Sequence, residues 1–181
     1  YLDPAGSAPC TQALEQGLEC VYQQGSWAQL RTLNRPAILT LVEHGQEQQV
    51  VVSALTDETA RVELADGPQA ISLTSLSRLW HGDYLVLWRP PVNPPRALSA
   101  GTRGEGVRWL RERLALLEGA LADPTASDVF DPALTRRIED FQRQYRLNVD
   151  GIAGVQTLLL LDSLTGDPAE PVLMSAVQGA P

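Results

Sequence analysis

Four prolines within six residues, in Arg89-Pro90-Pro91-Val92-Asn93-Pro94-Pro95-Arg96, divide this chain. Each proline fixes φ and removes an amide donor, so neither a helix nor a central strand can run through the segment. Residues 90–97 read as a semi-rigid spacer between one unit at 1–89 and another at 98–164, with a Gly-, Pro- and Ala-rich tail at 165–181. The apolar period changes across the spacer, from two before it to 3.6 after it. With 181 residues, 44% of them hydrophobic, the chain has material for two small cores.

Before the spacer the pattern predicts helices first and an antiparallel sheet after, an α+β unit. Residues 11–23 read as a helix, and Ser26 with Gln29 has capping-box spacing for a second one that ends before Pro36. Residues 37–42 and 49–54 are β-branched runs separated by the polar stretch His44–Gln48. Arg61-Val62-Glu63-Leu64 alternates polar and apolar ahead of the turn signal Asp66-Gly67. Thr74 would cap a one-turn helix carrying Leu76, Leu79 and Trp80, followed by a strand at 84–88.

After the spacer three short helices are expected, a small bundle. Thr102 and Glu105 have capping-box spacing, and Val107, Leu110, Leu114 and Leu117 share one helical face. Asp131 precedes Pro132 as an N-cap, with Leu134, Ile138, Phe141 and Tyr145 on one face behind it. Asp150-Gly151 leads into a third helix near 155–164. In the tail, Pro171-Val172-Leu173-Met174 is apolar enough to dock on a neighbour.

The formal charge is −8, with Arg as the basic residue throughout, no Lys, and 22 acids. Nucleic acid, which is bound through cationic surfaces, is not an expected partner. No window holds the roughly 20 apolar residues of a membrane-spanning helix. The start at Tyr1, without an initiator Met or leader pattern, reads as part of a longer protein. Cys10 and Cys20 leave three possibilities open: a disulfide, two reduced thiols, or a nucleophile. A bridge would contribute roughly 3 kcal/mol in the chain-entropy model. His44 and His81 make no metal-ligand spacing, so no metal or cofactor is expected. Trp27, Trp80, Trp88 and Trp109 could line a binding surface or fill cores.

Leu98, Gly101, Gly104, Val107, Leu110, Phe130, Phe141-Gln142, Leu147, Asp150-Gly151-Ile152, Gly154 and Thr157 together resemble the peptidoglycan-binding domain found beside cell-wall amidases and peptidases. The match covers most of residues 98–161. Arg111, Leu134 and Arg146 depart from the family pattern, Arg146 standing where a Gly precedes Leu147. The resemblance implies a wall-binding site at Gln142, Asp150, Gly151 and Thr157, with Arg111, Arg143 and Arg146 available to take stem-peptide carboxylates bidentately.

The first unit resembles the papain-like (C39-peptidase-like) domain of bacteriocin-processing transporters. Cys10, Gly25-Ser26-Trp27, Arg35-Pro36-Ala37-Ile38-Leu39, Gln49-Val50-Val51-Val52, Asp66-Gly67 and Trp80-His81-Gly82 carry the likeness. Gln49 stands where that family has its catalytic His, so Cys10, Gln49 and Asp66 are expected as positions of a degenerate triad. A neutral amide cannot take the thiol proton.

A degenerate peptidase-like domain joined by a Pro-rich spacer to a peptidoglycan-binding domain resembles the periplasmic C-terminal region of the type II secretion ATPase family called ExeA or GspA. That resemblance implies a non-catalytic periplasmic region that binds peptidoglycan and docks a GspB-type membrane protein, and with it the secretin, the parent being anchored in the inner membrane and oligomeric through its ATPase. Two other functions stay open: a cysteine peptidase or wall hydrolase using Cys10 or Cys20, and a protein-interaction module without wall affinity.

Overall fold

The structure, a computed structural model, describes residues 9–91, 97–121, 127–166 and 171–174. These group into two units, one within 1–89 and 168–181, the other within 90–167. Of the expected tail at 165–181, Thr165 ends the last helix of the second unit, and residues 171–174, the apolar run expected to dock on a neighbour, group with the first. Most of the expected spacer, residues 92–96, lies outside the described residues.

The first unit is a six-stranded antiparallel sheet in the order β1-β6-β2-β3-β4-β5 with short helices. Its elements are α1 (Pro9–Glu15), β1 (Glu19–Gln24), α2 (Trp27–Leu33), β2 (Ala37–Glu43), β3 (Gln46–Leu55), β4 (Thr59–Leu64), β5 (Gly67–Ser72), α3 (Leu73–Leu76) and β6 (Trp80–Trp88). The helix expected over 11–23 is corrected: α1 stops at Glu15, Gly17 turns the chain at φ +70°, and Glu19–Gln24 pairs with β6 instead. The capping box on α2 is as the spacing required. Ser26 Oγ accepts from the Gln29 amide, and Gln29 Oε1 accepts from the Ser26 amide at 2.8 Å. Asn34, left-handed at φ 51°, closes the helix before Pro36.

β3 begins at Gln46, so most of the polar stretch expected as a loop is paired strand, and His44 and Gly45 alone make the turn. Ser72, not Thr74, caps α3, accepting from the Ser75 amide at 3.1 Å. Trp80 opens β6 rather than closing a helix. Leu30, Leu39, Val52, Val62, Val86 and Trp88 are almost fully buried. Trp27 of α2 packs on Trp80 with ring centroids 4.4 Å apart.

Residues 171–174 seal this core. Leu173 is 1% exposed; its carbonyl accepts from the Leu55 amide at 2.8 Å and its amide donates to Asn34 O at 3.2 Å. The Met174 amide donates to Asn34 Oδ1 at 2.7 Å.

The second unit holds α4 (Glu105–Leu117), α5 (Pro132–Gln144) and α6 (Val155–Thr165). Val107, Leu110, Leu114, Leu134, Ile138, Phe141, Leu158 and Leu161 form its core. Asp131 caps α5, its Oδ1 accepting from the Leu134 amide at 2.8 Å. The expected Thr102 cap is corrected: Gly104 precedes α4 at φ 114°, a conformation that disfavours any β-carbon, and Thr102 Oγ1 accepts from the Ser99 amide instead. Two isolated bridges, Leu98 with Ala153 and Arg103 with Val129, tie the loops together.

Candidate functional site

In the second unit the α5–α6 connection is organised around one buried amide. Gln142 is 1% exposed because Phe141 and Ile138 set its turn of α5 into the core. Its Oε1 accepts from the amides of Asp150 at 3.1 Å and Gly151 at 3.0 Å. Its Nε2 donates to Asp150 Oδ1 at 2.9 Å, Ile152 O at 2.9 Å and Thr157 Oγ1 at 3.2 Å. Asp150 Oδ1 also accepts from the Ile152 amide at 2.9 Å, and Oδ2 from Asn148 Nδ2 at 3.1 Å. The Ile152 amide, then the Gln142 side chain, hold the Asp150 carboxyl below its ordinary value of 3.8. A buried polar group stripped of partners costs on the order of 1–3 kcal/mol, so this network fixes the loop.

Gly151 is required twice over: φ is +68°, and a β-carbon there would lie 2.8 Å from Thr135 Cγ2. Gln142, Asp150, Gly151 and Thr157, expected as ligand contacts, therefore spend these groups on the loop itself. Thr135, which sequence reasoning missed, is the neighbour that makes Gly151 necessary; only the tight contact in three dimensions shows it.

The three arginines separate. Arg111, with its side chain 14% exposed, donates to Val129 O at 2.9 Å and to Asp131 Oδ2 at 2.7 Å. It braces the entry to α5 and does not stand open for a ligand carboxylate. The Leu134 amide at the N-cap, then Arg111, lower the Asp131 pKa. Arg143 and Arg146 are exposed, Arg143 paired with Asp140 and Arg146 left-handed at φ 57°. Val149, Ile152 and Val155, 37–46% exposed, give the same loop and helix start an apolar exterior. Trp109 is half-buried with the Arg113 guanidinium 5.6 Å from its ring centre.

In the first unit the expected triad positions are not brought together. Cys10 on α1 is bonded to Cys20 on β1, S–S 2.03 Å, with the Cα atoms 5.7 Å apart. Gln49 lies on β3 opposite Thr40 and is exposed. β6 and β2 stand between β1 and β3, about 14 Å at the usual strand spacing. Asp66 is exposed in the β4–β5 turn, farther from β1 still. The bridge pins α1 beside the edge strand, which is the physical reason that the sulfur and the amide stay apart. His44 at the β2–β3 turn and His81 on β6 are both exposed. Among the described residues no group of three or more His, Cys, Asp or Glu is placed to hold a metal ion, and no helix is long and apolar enough to cross a membrane.

Residues 6–90 match the family model "GspA, peptidase C39-like domain", and residues 103–161 match the peptidoglycan binding domain model. General secretion pathway protein A of Aeromonas hydrophila is 32% identical over 170 residues, 93% of this chain and 30% of that protein. A general secretion pathway protein A of Escherichia coli (strain K12) is 31% identical over 171 residues, 93% of this chain and 34% of that one. The chain thus spans about a third of the length of these curated relatives. A crystal structure of a periplasmic domain of the EpsAB fusion protein of the Vibrio vulnificus type II secretion system is 29% identical, with a TM-score of 0.57, covering 86% of this chain and 68% of that one. Two domain matches in this order, with relatives aligned across nearly the whole chain, identify a GspA-type region of the general secretion pathway: a peptidase C39-like domain followed by a peptidoglycan-binding domain.

Proposed function

We propose that this chain is a non-catalytic periplasmic region that holds peptidoglycan through its second unit and docks a GspB-type membrane protein, so that the type II secretion secretin is assembled through the wall. The observation that carries the reading is the second unit itself, a peptidoglycan-binding domain whose Gln142 network builds one rigid loop between α5 and α6. In this reading Gln142, Asp150, Gly151 and Thr157 shape the loop. Arg143, Arg146 and Ile152 on its exterior meet the wall, the arginines receiving stem-peptide carboxylates. Arg111 acts at one remove, by positioning α5.

The absence of turnover is supported by the sulfur chemistry. A bonded sulfur is no nucleophile, and Gln49 carries no basic nitrogen to activate one. Fusion of two secretion components in the Vibrio vulnificus relative supports a GspB-type partner.

The test is co-sedimentation with purified peptidoglycan. The chain is expected to pellet, and a variant with residues 97–164 replaced by a flexible Gly-Ser linker is expected to stay in the supernatant. Equal pelleting of both would overturn wall binding by the second unit. Iodoacetamide is expected to label Cys10 and Cys20 only after reduction; labelling beforehand, with peptide or muropeptide turnover lost in Cys10→Ser, would restore the peptidase reading.

A further inference from the structure

Residues directly opposite on neighbouring strands point to the same face of a sheet. Leu85, Ile38 and Val51 are such partners on β6, β2 and β3, and Glu63 on β4 continues the row. They floor an open groove of about 800 Å³, walled in part by Leu18, Leu64 and Pro171. Val51 is 40% exposed and Leu64 37%, so apolar surface is left uncovered in the middle of a sheet.

Two features indicate what covers it. The first is charge. Arg89, which is exposed, lines the groove, and the groove's acid, Glu63, is engaged by Arg61 at 3.3 Å and by Ser53 Oγ. A guanidinium presents five donors in a fork, and Arg89 gives one N–H to Gln16 O at 3.2 Å. The second is continuity with a seat already filled. Pro171 belongs to the segment whose Leu173 is buried on this unit through backbone bonds to Leu55 and Asn34, so an apolar segment already docks at the groove's border.

We propose that this groove takes an extended, apolar segment of a protein partner bearing a carboxylate that pairs with Arg89. From Leu18 to β4 the groove spans about four strand spacings, roughly 19 Å, which an extended chain covers in about six residues. A net charge of −8 disfavours both an anionic membrane surface and a second copy of this chain as occupants. The proposal rests on the partner-docking reading above and assigns it to a surface.

The probe is the fluorescein-labelled peptide Asp-Leu-Val-Pro-Leu-Ile-Glu, titrated with the whole chain and compared with a version carrying Lys at both ends. The acidic peptide is expected to bind at least tenfold more tightly. Val51→Gln and Arg89→Glu are each expected to weaken it at least fivefold, with the strand content in circular dichroism unchanged. Equal binding of the two peptides, no binding at 1 mM, or wild-type affinity in both folded variants would overturn the assignment. Capture of the periplasmic part of a GspB-type partner separates the two levels. Capture that survives in both variants sinks the groove alone, whereas no capture by the wild-type chain sinks the docking reading.

Discussion

Arg146 occupies a position that a glycine would hold at lower cost. It follows α5 with φ at 57°, in the left-handed region where a β-carbon costs about 1 kcal/mol. The adjacent Leu147 amide still closes the helix by donating to Gln142 O at 2.8 Å, so the conformation is enforced by the loop. Arg146→Gly should therefore stabilise the second unit by about 0.5–1 kcal/mol, read from its urea midpoint. If Arg146 meets the wall, the same variant should pellet less with peptidoglycan. Stability and affinity moving in opposite directions would mark a residue kept for contact; unchanged pelleting would remove Arg146 from the contact set. Gln142→Leu tests the other class of residue. It strips partners from the Asp150 and Gly151 amides and should cost about 2–3 kcal/mol, with loss of pelleting as a consequence of loop disorder. The Phe-Gln and Asp-Gly-Ile motifs were legible in the sequence, but not which of their hydrogen bonds turn inward. Polar residues in a signature look alike whether they serve a ligand or the backbone, and the hydrogen bonds they make in the folded loop separate them: Asp150 is exposed, like Arg143, yet its carboxylate accepts from Ile152, Gln142 and Asn148.

At the scale of elements, α5 and the loop behind it are held at both ends by a carboxylate that accepts backbone amides. Asp131 and Asp150 both have folded pKa values below the ordinary 3.8, through the Leu134 and Ile152 amides respectively. A depressed pKa means that the stabilisation is fully present above the unfolded value and is lost as pH falls through the folded one. The unfolding midpoint of the second unit should thus be flat from about pH 7 to pH 5 and fall below about pH 4. Asp150→Asn should flatten that fall while lowering the plateau, since a neutral amide accepts from Ile152 more weakly. A slope identical to wild type would show that Asp150 does not couple to folding. The helices of this unit could be placed from their 3.6 period because it repeats over three turns. The misread segment, 11–23, is short, and Leu18, Val21 and the two cysteines satisfy a helical or an extended pattern equally. Gly17 decided it by turning the chain, and β1 then paired along its whole length with residues 83–88 of β6.

At the scale of the molecule, the chain leaves the first unit after Arg89 and re-enters it with residues 171–174, so the peptidoglycan-binding domain is inserted between two parts of its neighbour. The sequence showed the apolar run Pro171–Met174 but not its seat, because a contact between Leu173 and Asn34 spans a sequence distance over which no local pattern operates. This arrangement makes the stability of the first unit depend on residues beyond the second. Leu173 is 1% exposed, and its truncation leaves a cavity at the end of β3, so Leu173→Ala should destabilise the first unit by about 2–4 kcal/mol. Hydrogen exchange followed by mass spectrometry resolves the two units: faster exchange is expected in β2, β3 and α2, with α4, α5 and α6 unchanged. Equal loosening of both units would mean that they unfold together. No change in either would mean that Leu173 contributes nothing to the core it fills. Cys10→Ser provides the complementary case from the other end of the chain. Loss of the bridge should cost the first unit about 2–3 kcal/mol by freeing α1 from β1 and should again spare the second. If both variants act on the first unit alone, its two chain ends are anchored independently of the domain between them.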